Sequence, residues 1–265
     1  MTLLFLGAGA AAQNAPRAQQ KAQENGDLKV AAAADLTYVI DKLGPAFEKT
    51  TGVHITVSLG SSGNFFAQIQ NGAPFDVFLS ADKSYPEKLE QAGKAEGSPA
   101  VYARGRLVIW VPNNSSLQLP SKSNQTLDGN LDVLTGPAVH KIAIANPEHA
   151  PYGRAAVAAL THFGVYDQLK PKIVLGENIS QTAQFGQSGN ADVTLISLSL
   201  AASGSLQRDG RWLLLPEDSY PPIEQAGVVL KSSQNKAQAK QFLEFLTSPQ
   251  GQAIMHDFGF GAPAK

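Results

Sequence analysis

The feature that most constrains this chain is an alternation. Short apolar runs of strand length are each followed by a turn of small or polar residues and then by a segment with helical spacing. Residues 28–33 form a continuous apolar run of the kind buried in parallel sheets. Asp35 follows and is the expected N-cap of a helix in which Leu36, Val39, Ile40, Leu43 and Phe47 recur on one face. Pro45 inside that pattern is expected to kink or shorten the helix. Residues 53–59 alternate as a strand. Gly60-Ser61-Ser62-Gly63 then opens a helix carrying Phe65, Phe66 and Ile69, which Gly72 and Pro74 stop. Residues 76–80 read as a strand, and Asp82 as the cap of a helix over 85–91. Further strands are expected at 107–111, 142–145, 173–175, 193–197 and 212–215, and 226–230 is a further apolar run. Helices are expected near 155–163, from Ser180, and at 237–246 and 249–257. Alternating units of this kind specify an α/β fold with helices on both faces of the sheets.

Charge and cysteine content narrow the function classes. The 265 residues carry 21 Lys plus Arg against 22 Asp plus Glu, so the basic excess of a nucleic-acid binder is absent. There is no cysteine, which excludes thiol catalysis, Cys-based zinc sites, disulfide scaffolds and a lipid attached to an N-terminal cysteine. Apolar residues at 43% and charged residues at 16% fit a folded globular chain. Residues 1–12 read as a signal-peptide remnant, with Leu3 to Leu6 apolar and Ala10-Ala11-Ala12 as the cleavage pattern, although no Lys or Arg precedes the apolar run. Residues 13–27 read as a polar, disordered leader. The chain is therefore expected to be exported and soluble.

Few motifs carry chemistry. The histidines (His54, His140, His149, His162, His256) show no i,i+4 pairing and no neighbouring acidic pattern, so no metal site is expected. G-x-S-x-G, G-x-G-x-x-G and the phosphate-binding G-x-x-x-x-G-K-[ST] are all missing. What recurs is a strand ending in small or polar residues that open a helix: Ala34-Asp35, Gly60 to Gly63, Pro151-Tyr152-Gly153 and Asn178-Ile179-Ser180. Helix N-termini present unpaired N–H groups and a positive dipole end. Several converging on one cleft would bind an anion without Lys or Arg, whereas each taken singly is an ordinary helix start.

Certain longer runs are similar to one family. LKVAAAADLTYVIDKL, GSSGNFFAQIQNGAPFDVFLSADKSYPEKLEQAG, IANPEHAPYGRAA, GENISQT and QFLEFLTSPQGQAIMHDFGF occur in the order found in periplasmic molybdate-binding proteins of ABC importers, covering about residues 28–261. The resemblance implies a two-lobed type II periplasmic-binding-protein fold with the ligand cleft between the lobes. Lobe I would be 28–105 plus 226–265, and lobe II 106–225. It implies a monomer, not an enzyme, that needs no cofactor, binds molybdate or tungstate and passes it to a membrane permease in the periplasm. Carried over by position, the ligand-binding residues would be Asp35, Ser61, Ser62, Tyr152, Ile179 and Ser197, with the oxyanion's metal held only through them. Ser197 stands where some relatives have a tyrosine, and Asp35 where relatives have Ser or Asn. Asp35 matters more, because an ionised carboxylate cannot donate to a dianion. Either its side chain caps its own helix and only its N–H faces the ligand, the favoured expectation, or it accepts a proton from a protonated oxyanion such as phosphate. A hydrolase or transferase on the same fold is the alternative from another class; it would need an acid–base pair in the cleft.

Overall fold

The computed structural model describes residues 27–120 and 124–263. The expectations for residues 1–12 and 13–26 fall outside them. Asp27, the last residue of the expected leader, is described and accepts a hydrogen bond from Thr56 Oγ1 at 2.8 Å. The strands are β1 (Leu28–Ala33), β2 (Ile55–Gly60), β3 (Val77–Ser80), β4 (Ala100–Gly105), β5 (Leu107–Pro112), β6 (Gln125–Thr126), β7 (Ile142–Ala145), β8 (Ile173–Gly176), β9 (Val193–Ser197), β10 (Gly210–Leu214) and β11 (Ile223–Val229). The α-helices are α1 (Ile40–Thr51), α2 (Ser62–Gln70), α3 (Ser84–Gln91), α4 (Pro151–His162), α5 (Tyr166–Leu169), α6 (Ile179–Gln187), α7 (Leu198–Ala201), α8 (Gly204–Asp209), α9 (Lys236–Thr247) and α10 (Pro249–Asp257).

Two sheets organise these elements. The first has the order β2-β1-β3-β11-β4 and the second β6-β10-β5-β9-β7-β8. β1 lies parallel to both β2 and β3, and β7 parallel to both β8 and β9, as βα crossovers require; β11 and β5 run antiparallel to their neighbours. The chain passes from the first sheet to the second between Gly105 and Leu107, and returns between Leu214 and Ile223. The fold is thus α/β and two-lobed.

The apolar runs read from the sequence form the cores. β1, β3 and β7 are buried almost throughout, and Phe47 of α1 packs with Phe242 and Phe245 of α9 against the first sheet. Phe65 and Ile69 of α2 cover the opposite face with Phe78 and Leu89. Trp110, wholly buried, centres the second lobe's core, where its indole N–H donates to Leu206 O. Among the described residues no helix is long and apolar enough to cross a membrane.

One local expectation is corrected. Asp35 does not cap a helix. Ala34–Leu36 is a single 3-10 turn, and α1 begins only at Ile40 with no side-chain cap. The helix runs on through Pro45 to Thr51, so Pro45 does not end it, and the late start at Ile40 is what departs from the apolar spacing. By contrast Asp82 Oδ1 accepts the Ser84 N–H at 2.8 Å at the start of α3, as expected.

Candidate functional site

In open α/β sheets ligands bind beyond the carboxyl ends of strands. Here the ends of β1 and β2 in the first lobe face the starts of α4 and α6 in the second, across a narrow recess. Five of the six residues expected from the sequence line it: Asp35, Ser61, Ser62, Tyr152 and Ile179. Ser197 does not. It is fully buried, its Oγ caps α7 by accepting Leu200 N–H, and it lies 3.0 Å from Ser199 Oγ. The lining holds no Lys or Arg.

The recess is built by helix starts. Ser61 N-caps α2, its Oγ accepting Asn64 N–H at 3.3 Å. Ser62 Oγ accepts Ala81 N–H at 3.0 Å, tying α2 to the end of β3. Pro151 occupies the first position of α4, where its missing N–H costs nothing, and Tyr152 follows. Asn178 caps α6 by accepting from Ser180 and Gln181 N–H, both at 3.0 Å. First-turn N–H groups have no intrahelical acceptor. Among the described residues, the hydrogen bonds of these turns engage the N–H groups of Gly63, Asn64, Ser180 and Gln181 and not those of Ser62, Tyr152 and Ile179, three residues that line the recess. Three helix N-termini therefore bring neutral donors and positive dipole ends to one point.

Asp35 sits in a polar network behind the recess. Its Oδ2 accepts from Tyr152 O–H at 3.0 Å and from Gln225 Nε2, whose Oε1 in turn accepts from Tyr102 O–H at 3.0 Å. Its Oδ1 is buried and has no hydrogen-bond partner. Burial outweighs the bonds from Gln225 and Tyr152 and raises the carboxyl from 3.8 to about 6. The same burial, with the nearby carboxylate, raises the Tyr152 and Tyr102 phenols well above their usual value. The Tyr152 proton is therefore spent on Asp35. Gly105 makes room for it, since a Cβ there would run into the Tyr152 hydroxyl.

The lobes also touch around the recess. Gly63 N–H donates to His149 O at 2.9 Å, Ser61 Oγ lies 2.9 Å from His149 Nδ1, and Asn64 Nδ2 donates to Glu177 Oε1 at 2.6 Å. Ser180 Oγ donates to Ala34 O at 3.0 Å, and Ser199 Oγ to Asp35 O at 2.8 Å. Between the lobes, Arg154 also pairs with Asp82 at 2.5 Å and donates to the Tyr85 hydroxyl oxygen at 3.2 Å. Sequence reasoning missed Gln225, Tyr102, Ser199 and Arg154. The available signal was Gln225 next to the apolar run that follows it, in a segment that also carries Glu224. A larger, more open groove runs along α1 and β2, but Asp41 and Glu48 line it and disfavour an anion. Among the described residues no cluster of His, Asp and Glu is placed to hold a metal ion.

Known proteins share this architecture. The model of the family described as bacterial extracellular solute-binding protein matches residues 28–261. The molybdate-binding protein ModA of Rhodobacter capsulatus is 38% identical over 236 residues, covering 89% of this chain and 88% of that one. ModA of Azotobacter vinelandii is 36% identical over 241 residues, covering 91% and 92%. The solved structure of the periplasmic molybdate-binding protein of Azotobacter vinelandii superposes with a TM-score of 0.81, at 36% identity, covering 90% of this chain and all of that one. With the match spanning nearly all of the described residues, the chain belongs to the bacterial extracellular solute-binding protein family.

Proposed function

We propose that this protein captures molybdate or tungstate in the periplasm and delivers it to the membrane permease of an ABC importer. The observation that carries the reading is the convergence of the α2, α4 and α6 N-termini on a recess without Lys or Arg. A dianion there is held by N–H donors and helix dipoles, which need no countercharge. The identities to molybdate-binding relatives support the choice of oxyanion. The binding set is Asp35, Ser61, Ser62, Tyr152 and Ile179, with the last two contributing their N–H groups and Asp35 lining the wall. Ser197 acts through Ser199, which bonds the Asp35 carbonyl. The moving bodies are residues 28–105 plus 226–265 and residues 106–225, and the protein works as a monomer that makes and breaks no bond.

Calorimetric titration with molybdate, tungstate, sulfate and phosphate tests this. Tight binding of molybdate and tungstate with weak sulfate and phosphate binding is the expected result. Tight phosphate binding with none for molybdate would replace it with the other oxyanion reading.

One observation favours a second reading, hydrolysis. Ser61 Oγ lies 2.9 Å from His149 Nδ1, and His149 Nε2 lies 3.6 Å from Glu177 Oε1. Against it, Ser61 Oγ is already engaged as the α2 cap and Glu177 is largely exposed and held by Asn64. Turnover of simple esters that disappears in Ser61→Ala would establish it, and retained anion binding without turnover would remove it.

A further inference from the structure

The Asp35 carboxyl is an odd wall for an anion site. It lines the recess, its Oδ2 accepts from two donors, and its Oδ1 is buried with no partner at all. A carboxylate facing a dianion repels it. A carboxylic acid with the proton on Oδ1 does the reverse: Oδ2 keeps accepting from Tyr152 and Gln225, while the orphan position becomes a donor. We propose that anion binding is coupled to the uptake of one proton by Asp35, carried on Oδ1 and donated toward the bound oxyanion. The proton comes from solvent; no bond to the ligand forms or breaks. The proposal rests on the oxyanion-binding reading above and adds a proton to it.

The surroundings leave the anion in control of this equilibrium. The elements packed against the 34–36 turn, namely β2, α6 and α7, bring no ionisable side chain. From α4 come Tyr152, bonded to Asp35, and Arg154, which is paired with Asp82; His162 closes the far end of that helix. From β4 and β11 come Tyr102, Arg104 and Glu224. Tyr102 bonds Gln225, Arg104 pairs with Glu217, and Glu224 pairs with Lys83. No cation therefore offsets the carboxylate directly. Burial already places the carboxyl near neutrality, at about 6. Protonating such a group at pH 8 is about a hundredfold penalty. A unit charge pair about 4 Å apart at an effective dielectric near 20 is worth about a thousandfold, and the dianion doubles the charge. Proton uptake wins by that comparison.

The test is calorimetric titration of the whole protein with sodium molybdate from about pH 6 to about pH 8.5, in buffers of low and high ionisation heat. The expected result is uptake approaching one proton per anion near pH 8, with affinity falling about tenfold per pH unit above the Asp35 midpoint. Asp35→Asn places an amide N–H where the Oδ1 proton would sit and retains an acceptor for Tyr152 and Gln225. It is expected to bind molybdate with no buffer-dependent heat and a flat pH profile. A buffer-independent heat and a pH-flat affinity in the wild-type protein would overturn the proposal while leaving the anion site standing. Absence of molybdate binding in both proteins at every pH would remove the anion reading and this inference with it.

Discussion

The turns after β1 and β2 start from similar sequence logic and end differently. Both follow an apolar strand with a residue able to cap a helix. After β2, Ser61 does cap: its Oγ reaches the Asn64 N–H three residues on, and α2 starts at once. After β1, Asp35 does not; its turn is 3-10, and α1 waits until Ile40. The difference lies in the competition for the side chain. The one long-range partner beside Ser61, His149 Nδ1 at 2.9 Å, leaves its oxygen free to accept the local N–H as well. Beside Asp35 lie the Tyr152 phenol and the Gln225 amide, both buried, and each would be costly to leave unpaired. Long-range donors from α4 and β11 outbid the local cap, and the turn gives up its regular helix start.

The largest expected effect breaks this comparison directly. If Asp35 were a cap, Asp35→Asn would be neutral, because the two residues cap equally well. Since its folded carboxyl is raised to about 6 from 3.8, its contribution to stability is present below pH 4 and lost as pH rises through 6. Asp35→Asn should therefore stabilise the protein by up to about 3 kcal/mol near pH 8 and by little below pH 4. Denaturant titration at both pH values reads this. Gln225→Leu should destabilise by about 2 kcal/mol near pH 8, by stripping a donor from a buried carboxylate and orphaning Tyr102 O–H. The loss should shrink in acid, as thermal melts across the same range would report. Ser61→Ala should cost about 1 kcal/mol as a lost N-cap, with little pH dependence, in the same denaturation assay. Arg154→Ala should change stability by less than about 1 kcal/mol, because both partners are substantially exposed. Its salt dependence at low ionic strength is the measurable sign.

The sequence made the strands and most helices legible, because burial on both faces produces continuous apolar runs such as 30–33 and 142–145, both within formed strands. The strand β4 escaped notice, since Tyr102 and Arg104 interrupt its apolar pattern. Five recess residues were legible through the resemblance to the molybdate-binding family, and the turns that hold most of them also carry the Ser, Pro, Gly and Asn of helix starts. The network behind them was not, because Gln225 and Tyr102 lie 190 and 123 residues from their partners Asp35 and Gln225, and no local pattern encodes such pairing. Ser197 shows the converse failure. Its alignment with a ligand position of the family pointed to the site, yet its hydroxyl is engaged by α7 and Ser199.

The central claim is that an oxyanion sits where α2, α4 and α6 begin. Anomalous diffraction at the molybdenum edge from crystals grown with molybdate tests it most directly. The account predicts one strong peak in the recess, within hydrogen-bond reach of the Ser62, Tyr152 and Ile179 N–H groups. A peak elsewhere, such as the groove along α1 and β2, or none at all, would contradict it.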